Sequence, residues 1–247
     1  MDTLFLSDLH LSPARPEKLA LFRELLRGPA RNADAVYILG DLFDEFWTGN
    51  DDRTPPCAEV VNELKAFTTA GGRLFLQRGN RDLMMGPAFG HLTGATVLPD
   101  LTLVELGDEP VLVMHGDLLC TRDTSYQLFR ATLDFAPVRW TFLHLPAAVR
   151  TGLAHGLRPA MQRSAAAKAQ EIIDVTPGAV ERAMRRWQVR TLIHGHTHRP
   201  GVYQLQLDGK PATRYVLGDW YGDCRILVCR NGERQLVPAA DCLAPGF

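Results

Sequence analysis

The chain has 247 residues and a formal net charge of −1, a size that fits one large α/β domain and a balance unlike the strongly basic surface of a nucleic-acid binder. Its five cysteines, at 57, 120, 224, 229 and 242, are odd in number and form no C-x-x-C pair, which argues against a zinc knuckle and a secreted disulfide framework and fits a reduced cytoplasm. The N-terminus MDTLFLSDLH lacks a signal peptide's basic start and long apolar core, and the most apolar stretch, 136–157, is broken by Arg139, His144 and Arg150, so no spanning helix is expected.

Residues 3–6 (TLFL) predict a strand. Pro16 then opens a helix with Leu19, Phe22, Leu25 and Leu26 on one face, and Gly28 ends it. A buried strand is expected over 35–39, a helix from about Pro56 to Ala70 with Val60, Leu64 and Phe67 inward, and a strand over 73–77. Further strands are expected at 101–106 and 111–114. Residues 120–170 break this alternation with an apolar, helical pattern in which seven Lys/Arg stand against two acids between 122 and 168. A helix starting at Thr176-Pro177, with Val180, Met184 and Trp187 inward, precedes strands at 190–193, 202–207, 213–217 and 225–229.

Five short clusters follow the strand-like runs: Ser7-Asp8-Leu9-His10, Gly40-Asp41, Gly79-Asn80-Arg81-Asp82, His115-Gly116-Asp117 and His194-Gly195-His196-Thr197-His198. In an α/β layer fold, loops at the carboxyl ends of strands converge on one edge. There these carboxylates, imidazoles and amides suit two divalent metals. Asp8 and His10 lie two apart, as do His196 and His198, so in extended segments each pair projects to one side. His194 shares that parity but sits at the strand's end, behind the ligands. Asp41 is either a helix N-cap or, because an ionised carboxylate at a buried strand end is costly without a cation, a bridge between two metals. A single histidine is commonly a hydrogen-bonded core residue, but five of the eight fall in these clusters.

In order and content the clusters resemble the motifs of the calcineurin-like metallophosphoesterase superfamily: D-x-H, G-D, G-N-H-D/E, H and G-H-x-H. That resemblance implies a layered α/β fold, a β-sandwich flanked by helices, with 1–247 as one domain and 120–170 as an inserted helical cap. It also implies one metal on Asp8, His10, Asp41 and His198 and a second on Asp41, Asn80, His115 and His196. Mixed oxygen and nitrogen donors without thiolate suit Mn²⁺ or Fe, with Mn²⁺ foremost. Arg81 stands where the superfamily usually has histidine. It cannot act as an ordinary acid at neutral pH but grips phosphate bidentately, which points to a pyrophosphate substrate.

The segments GDLFDEFWTGND (40–51), MHGDLLCTRDTSYQLFR (114–130) and LIHGHTHRP (192–200) are similar, within that superfamily, to the UDP-2,3-diacylglucosamine pyrophosphatases of lipid A biosynthesis. This similarity implies hydrolysis to UMP and 2,3-diacylglucosamine 1-phosphate by metal-hydroxide attack on the α-phosphorus. It implies substrate contacts from Asn80, Arg81, Asp123, Lys168 and His196, with Asp41, Arg81 and His196 as catalytic residues. Where that family places a serine and an asparagine ahead of the lysine, this chain has Met161 and Ala165, with Ser164 close by. On this reading Tyr126, Phe129, Leu133, Phe135, Trp140, Phe142, Leu143 and Leu145 cover acyl chains. The flanking arginines then meet substrate phosphates or an anionic membrane surface, peripherally on the cytoplasmic face of the inner membrane. The alternative for the insertion is an ordinary helical hairpin packed on the core. For the whole chain the alternatives are a general cytoplasmic phosphodiesterase or nucleotide pyrophosphatase without lipid specificity, and a non-catalytic scaffold, against which all seven ligands are present. No obligate protein partner is evident.

Overall fold

The computed structural model describes residues 2–46, 48–49, 57–167, 172, 174–222 and 224–244, with side chains omitted over 158–167. One sheet combines β1 (Thr3–Leu6), β2 (Ala35–Leu39), β3 (Leu74–Gln77), β4 (Thr96–Val97), β10 (Arg225–Arg230) and β11 (Glu233–Pro238), in the order β11-β10-β1-β2-β3-β4. The other combines β5 (Leu101–Leu106), β6 (Glu109–Met114), β7 (Thr191–His194), β8 (Gly201–Leu207) and β9 (Lys210–Val216), in the order β5-β6-β7-β9-β8. β1 to β4 pair in parallel, as do β6, β7 and β9. The ends of β1, β2 and β3 in one sheet and of β6, β7 and β9 in the other therefore supply the loops that meet at the site.

Side-chain alternation explains the layering. Phe5, Tyr37, Leu39, Val111, Val113, Ile193 and Leu227 form one core between the sheets. The intervening residues Leu4, Leu6, Val36, Ile38, Leu74 and Leu76 face a second core with α1 (Pro16–Arg27), α2 (Cys57–Thr69) and α3 (Pro87–Thr93). Leu112, Met114 and Leu192 face a third. Strands that bury both faces read as continuous apolar runs, which is why they stood out in the sequence. α1 starts with proline at its first position and ends where the Gly28 N–H bonds to Glu24 O.

Among the described residues, one helix and two strands were not expected, besides short 3₁₀ turns. α3 runs only seven residues, from Pro87 to a left-handed Gly94, too short for a helical period to register. β4 has two residues, and β11 is an edge strand with no apolar run, held through its pairing with β10.

Among the described residues the insertion forms three successive helices, α4 (Thr124–Asp134), α5 (Ala136–His144) and α6 (Ala147–Ala167), and α7 (Pro177–Arg186) lies beyond it. On α7, Val180 and Met184 are buried and Trp187 packs beside them against the third core, as expected. For Arg130, Arg139 and Arg150 the expectation that the insertion's arginines face phosphates or lipid needs correction. Arg130 is buried and pairs with Asp117 and, at 2.8 Å, with Asp100. Arg139 donates to the carbonyls of Leu83, Met84 and Met85 at 2.5–3.1 Å, and buried Arg150 donates to Leu143 O. These cations attach the insertion to the core and to itself. The side chains of Arg158 and Arg163, and Lys168 entirely, lie outside what is described.

Candidate metal centre

The loops after the strands are stitched together by main-chain bonds. Asp8 N–H donates to Gly40 O, His10 N–H to Asp41 O and Gly195 N–H to His115 O, at 2.8–3.1 Å. Glycine is required where these loops cross. A Cβ on Gly79 would lie 2.2 Å from Asp41 Oδ1, and one on Gly195 would lie 2.1 Å from Ser7 Oγ and 2.2 Å from Asp8 Oδ2. The glycine before Asn80 and the glycine before His196 thus let two loops approach without side chains between them.

The extended geometry expected for Asp8-His10 and His196-His198 is not what brings these side chains together. Asp8, His10, Asp41, His196 and His198 have φ of 53°, 46°, 53°, 68° and 54°. They are five of the nine non-glycine residues with positive φ among those described. Each is presented from a left-handed kink just past its strand. Such kinks cost about 1–3 kcal/mol apiece and persist where the surroundings over-determine them.

Asp41 lies between two groups of donors. Its Oδ2 is 3.8 Å from His10 Nε2, and its Oδ1 is 3.7 Å from His115 Nε2. Residues 42–46 are not helical, so it is not an N-cap; its Oδ1 accepts the Arg81 N–H at 2.8 Å. On the first side, Asp8 Oδ1 is 3.4 Å from His198 Nε2 and 3.9 Å from His10 Nε2, and the two imidazole nitrogens are 3.3 Å apart. On the second, Asn80 Oδ1 sits 3.1 Å from His115 Nε2 and 2.9 Å from His196 Nδ1. Asp8, His10 and His198 form one set of donors close enough to share an ion, and Asp8, Asp41 and His115 form another. The residues present fit divalent metals: Asp8 is fully buried, yet its Oδ1 accepts no hydrogen bond and faces two imidazole nitrogens. A carboxylate oxygen in that position needs a cation.

The protonation states divide the donors. Burial pulls His10 down to about 3, and burial together with nearby His115 pulls His196 down to about 4, so both are neutral donors. Burial pushes Asp41 up to about 7. Burial also opposes charge on His115, but Asp41 and Asp8 outweigh it and raise that group to about 9. Asp8 is held well below the usual carboxylate range by its histidines against the pull of burial.

Around this centre, Asp82 accepts the N–H groups of Gly79, Asp41 and Leu42 and so fixes the Asn80 turn. His194 is buried behind the centre with Nδ1 2.8 Å from Gly195 O; it takes no place among the ligands. Arg81 is half-buried with Nε unpartnered. Asp123 accepts from Tyr126 N–H and Ser125 Oγ at 3.0 Å, capping α4. Tyr126 binds Asp117 through its hydroxyl and stacks on His196 with ring centroids 6.5 Å apart, joining the insertion to the centre. Sequence reasoning missed Asp219, whose Oδ2 is 3.1 Å from His198 Nδ1, and Asp44, 3.9 Å from His10 Nδ1. Both follow strand-end motifs that were visible, since Asp219 stands two residues past the strand expected at 213–217.

A family model for calcineurin-like phosphoesterases matches residues 1–200. The chain belongs to that family. It is 47% identical over 236 residues to the UDP-2,3-diacylglucosamine hydrolase of Aeromonas hydrophila, covering 96% of this chain and 98% of that one. Its likeness to the UDP-2,3-diacylglucosamine hydrolase of Pseudomonas paraeruginosa is also 47%, covering 95% and 98%. Among solved structures it is similar to a phosphoesterase from E. coli at TM-score 0.47 and 18% identity, covering 98% and 94%. Like its family, the chain is a hydrolase whose donor set suits divalent metals, and its likeness to these relatives extends over nearly its whole length. Among the described residues no helix is long and apolar enough to cross a membrane.

Proposed function

We propose that this hydrolase cleaves the pyrophosphate of UDP-2,3-diacylglucosamine to UMP and 2,3-diacylglucosamine 1-phosphate, a step of lipid A biosynthesis. The name and full-length similarity of its relatives support the substrate. The observation that carries the chemistry is the buried, unpartnered Asp8 Oδ1 beside the histidine nitrogens. One metal would be held by Asp8, His10, Asp41 and His198, the other by Asp41, Asn80, His115 and His196, with Mn²⁺ favoured by the donor set. Bound there, two cations would neutralise phosphate charge and activate the attacking water. Arg81, beside Asn80 and free to form a two-pronged contact, grips the phosphates and stabilises the charge left on the departing sugar 1-phosphate. His196 and Asn80 contact the same group. Asp123 and Lys168 are assigned further contacts, Lys168 from outside the described residues.

Residues 120–170 act as a cap within a single domain spanning 1–247. An apolar cleft lies between the cap's Phe129, Leu133, Phe142 and Leu157 and the core loops' Phe46 and Met84. Met84 is three residues from Arg81, so this cleft, about 30 Å³ and narrower than two acyl chains as it stands, lies along the path such chains would take from a pyrophosphate held at the metals. Leu128, Phe135 and Trp140 are exposed on the same cap and supply an apolar contact for the cytoplasmic face of the inner membrane.

The test is turnover of UDP-glucosamine with and without its acyl chains in the presence of Mn²⁺. Strong preference for the diacylated compound, abolished by chelation, is expected; equal turnover of both would leave a general nucleotide pyrophosphatase. Hydrolysis in ¹⁸O-water should label UMP, and label in the sugar phosphate would place attack on the other phosphorus.

A further inference from the structure

β9 is the parallel neighbour of β7, with Val216 opposite His194, so the chain leaving β9 passes beside the histidine turn. That segment is fixed by its main chain. Leu217 N–H donates to His194 O at 2.8 Å, Gly218 N–H to Arg225 O at 3.1 Å and Trp220 N–H to Asp8 O at 3.0 Å. The Trp220 ring is completely buried, edge-on to Phe22. Within this frame Asp219 Oδ1 accepts the N–H groups of Tyr221 and Gly222 at 2.9 and 3.1 Å. Those bonds leave Oδ2 aimed at His198 Nδ1, 3.1 Å away, while Nε2 on the far side of the same ring faces Asp8 and His10.

The histidines of the centre are held in different ways. His115 Nδ1 lies 2.8 Å from the main-chain carbonyl of Leu39, and both His10 and His115 are locked by packing at 2% side-chain exposure. His198 is 34% exposed, so packing alone does not fix its ring.

We propose that Asp219 is a positioning residue for one of the two metals. By accepting from His198 Nδ1–H, it fixes the tautomer that leaves the Nε2 lone pair free, and it turns the ring toward the cation shared with Asp8 and His10. The inference rests on the metal assignment made above. It predicts an asymmetry, because the set of Asp41, Asn80, His115 and His196 makes no contact with Asp219.

The full-length chain, stripped of metal, and its Asp219→Ala, Asp219→Asn and Asp219→Glu variants are titrated with Mn²⁺ by calorimetry. The His198 tautomer is read from ¹⁵N shifts. Asp219→Ala should lose ~10–100-fold in affinity for one Mn²⁺, keep the other, retain the metal-free unfolding midpoint and lose the single Nδ1–H tautomer. Asp219→Asn, whose amide oxygen still accepts, should lose less, and it carries the test if the alanine variant does not fold. Partial recovery is expected for Asp219→Glu. Unchanged affinities with an unchanged tautomer, or equal weakening of both metals with a lowered midpoint, would overturn the role of Asp219. A wild-type chain that failed to bind two Mn²⁺ would instead overturn the metal assignment itself.

Discussion

The strand-end turns bury polar groups, with Asp8, His10, Asp41 and His115 at 0–2% exposure, whereas the insertion exposes apolar ones, with Leu128, Phe135 and Trp140 at 61–70%. A carboxylate buried at that depth is stable only against a cation, and an apolar surface left in water is stabilised by a partner that covers it. The contrast separates two tasks. The turns are kinked, crossed by glycines and lined by the metal-ligand candidates. The insertion is pinned at its base by Tyr126, Arg130 and Arg139 and leaves Leu128, Phe135 and Trp140 exposed.

Removing Asp41, the proposed bridge, should have the largest effect. Asp41→Ala should depress turnover of both the diacylated substrate and a chromogenic aryl phosphodiester by far more than the ~100-fold that loss of a supporting partner produces. Substantial activity in this variant, measured with saturating Mn²⁺, would show that one metal suffices.

The hinge between the two regions is next. Arg130→Met leaves Asp117 buried without its cation and should cost about 3–5 kcal/mol in denaturant unfolding. Asp117 is held below the ordinary carboxylate range because Arg130 and His115 outweigh the upward pull of burial. Its contribution is therefore complete above the unfolded value of about 4 and is lost as pH falls through the lower folded value. The wild type should lose stability below about pH 4 more steeply than Arg130→Met; parallel acid limbs would remove Asp117 from the account.

Arg81→Lys keeps the charge but not the planar fork, and should lower kcat on the diacylated substrate roughly 100-fold while Mn²⁺ affinity stays unchanged. A variant near wild-type kcat would mean that charge alone is needed. The smallest and most selective effect belongs to the cleft. Phe142 and Leu143 are half-buried against the core, so the sharper probe is Leu157, which lines the cleft and is 49% exposed. Leu157→Gln removes apolar contact worth about 1–2 kcal/mol and should reduce turnover of the diacylated substrate about tenfold while sparing the aryl diester. Equal loss on both would make the cap a folding element.

The sequence by itself determined the strands that bury both faces, the helices bounded by Pro16, Gly28 and Pro177, and the seven metal-ligand candidates, because apolar runs and clustered His, Asp and Asn are local patterns. It did not determine how those ligands point. The Asp8-His10 and His196-His198 pairs read as extended, yet each residue turns through a left-handed kink that only the crossing of neighbouring loops at Gly79 and Gly195 enforces. Nor could composition reveal that Arg130, Arg139 and Arg150 face inward. A charge excess counts residues, and only packing decides whether a guanidinium meets water, a lipid or Asp117. Asp219 shows the same limit: its place beside His198 depends on β9 pairing with β7, a contact between distant segments that no local pattern encodes.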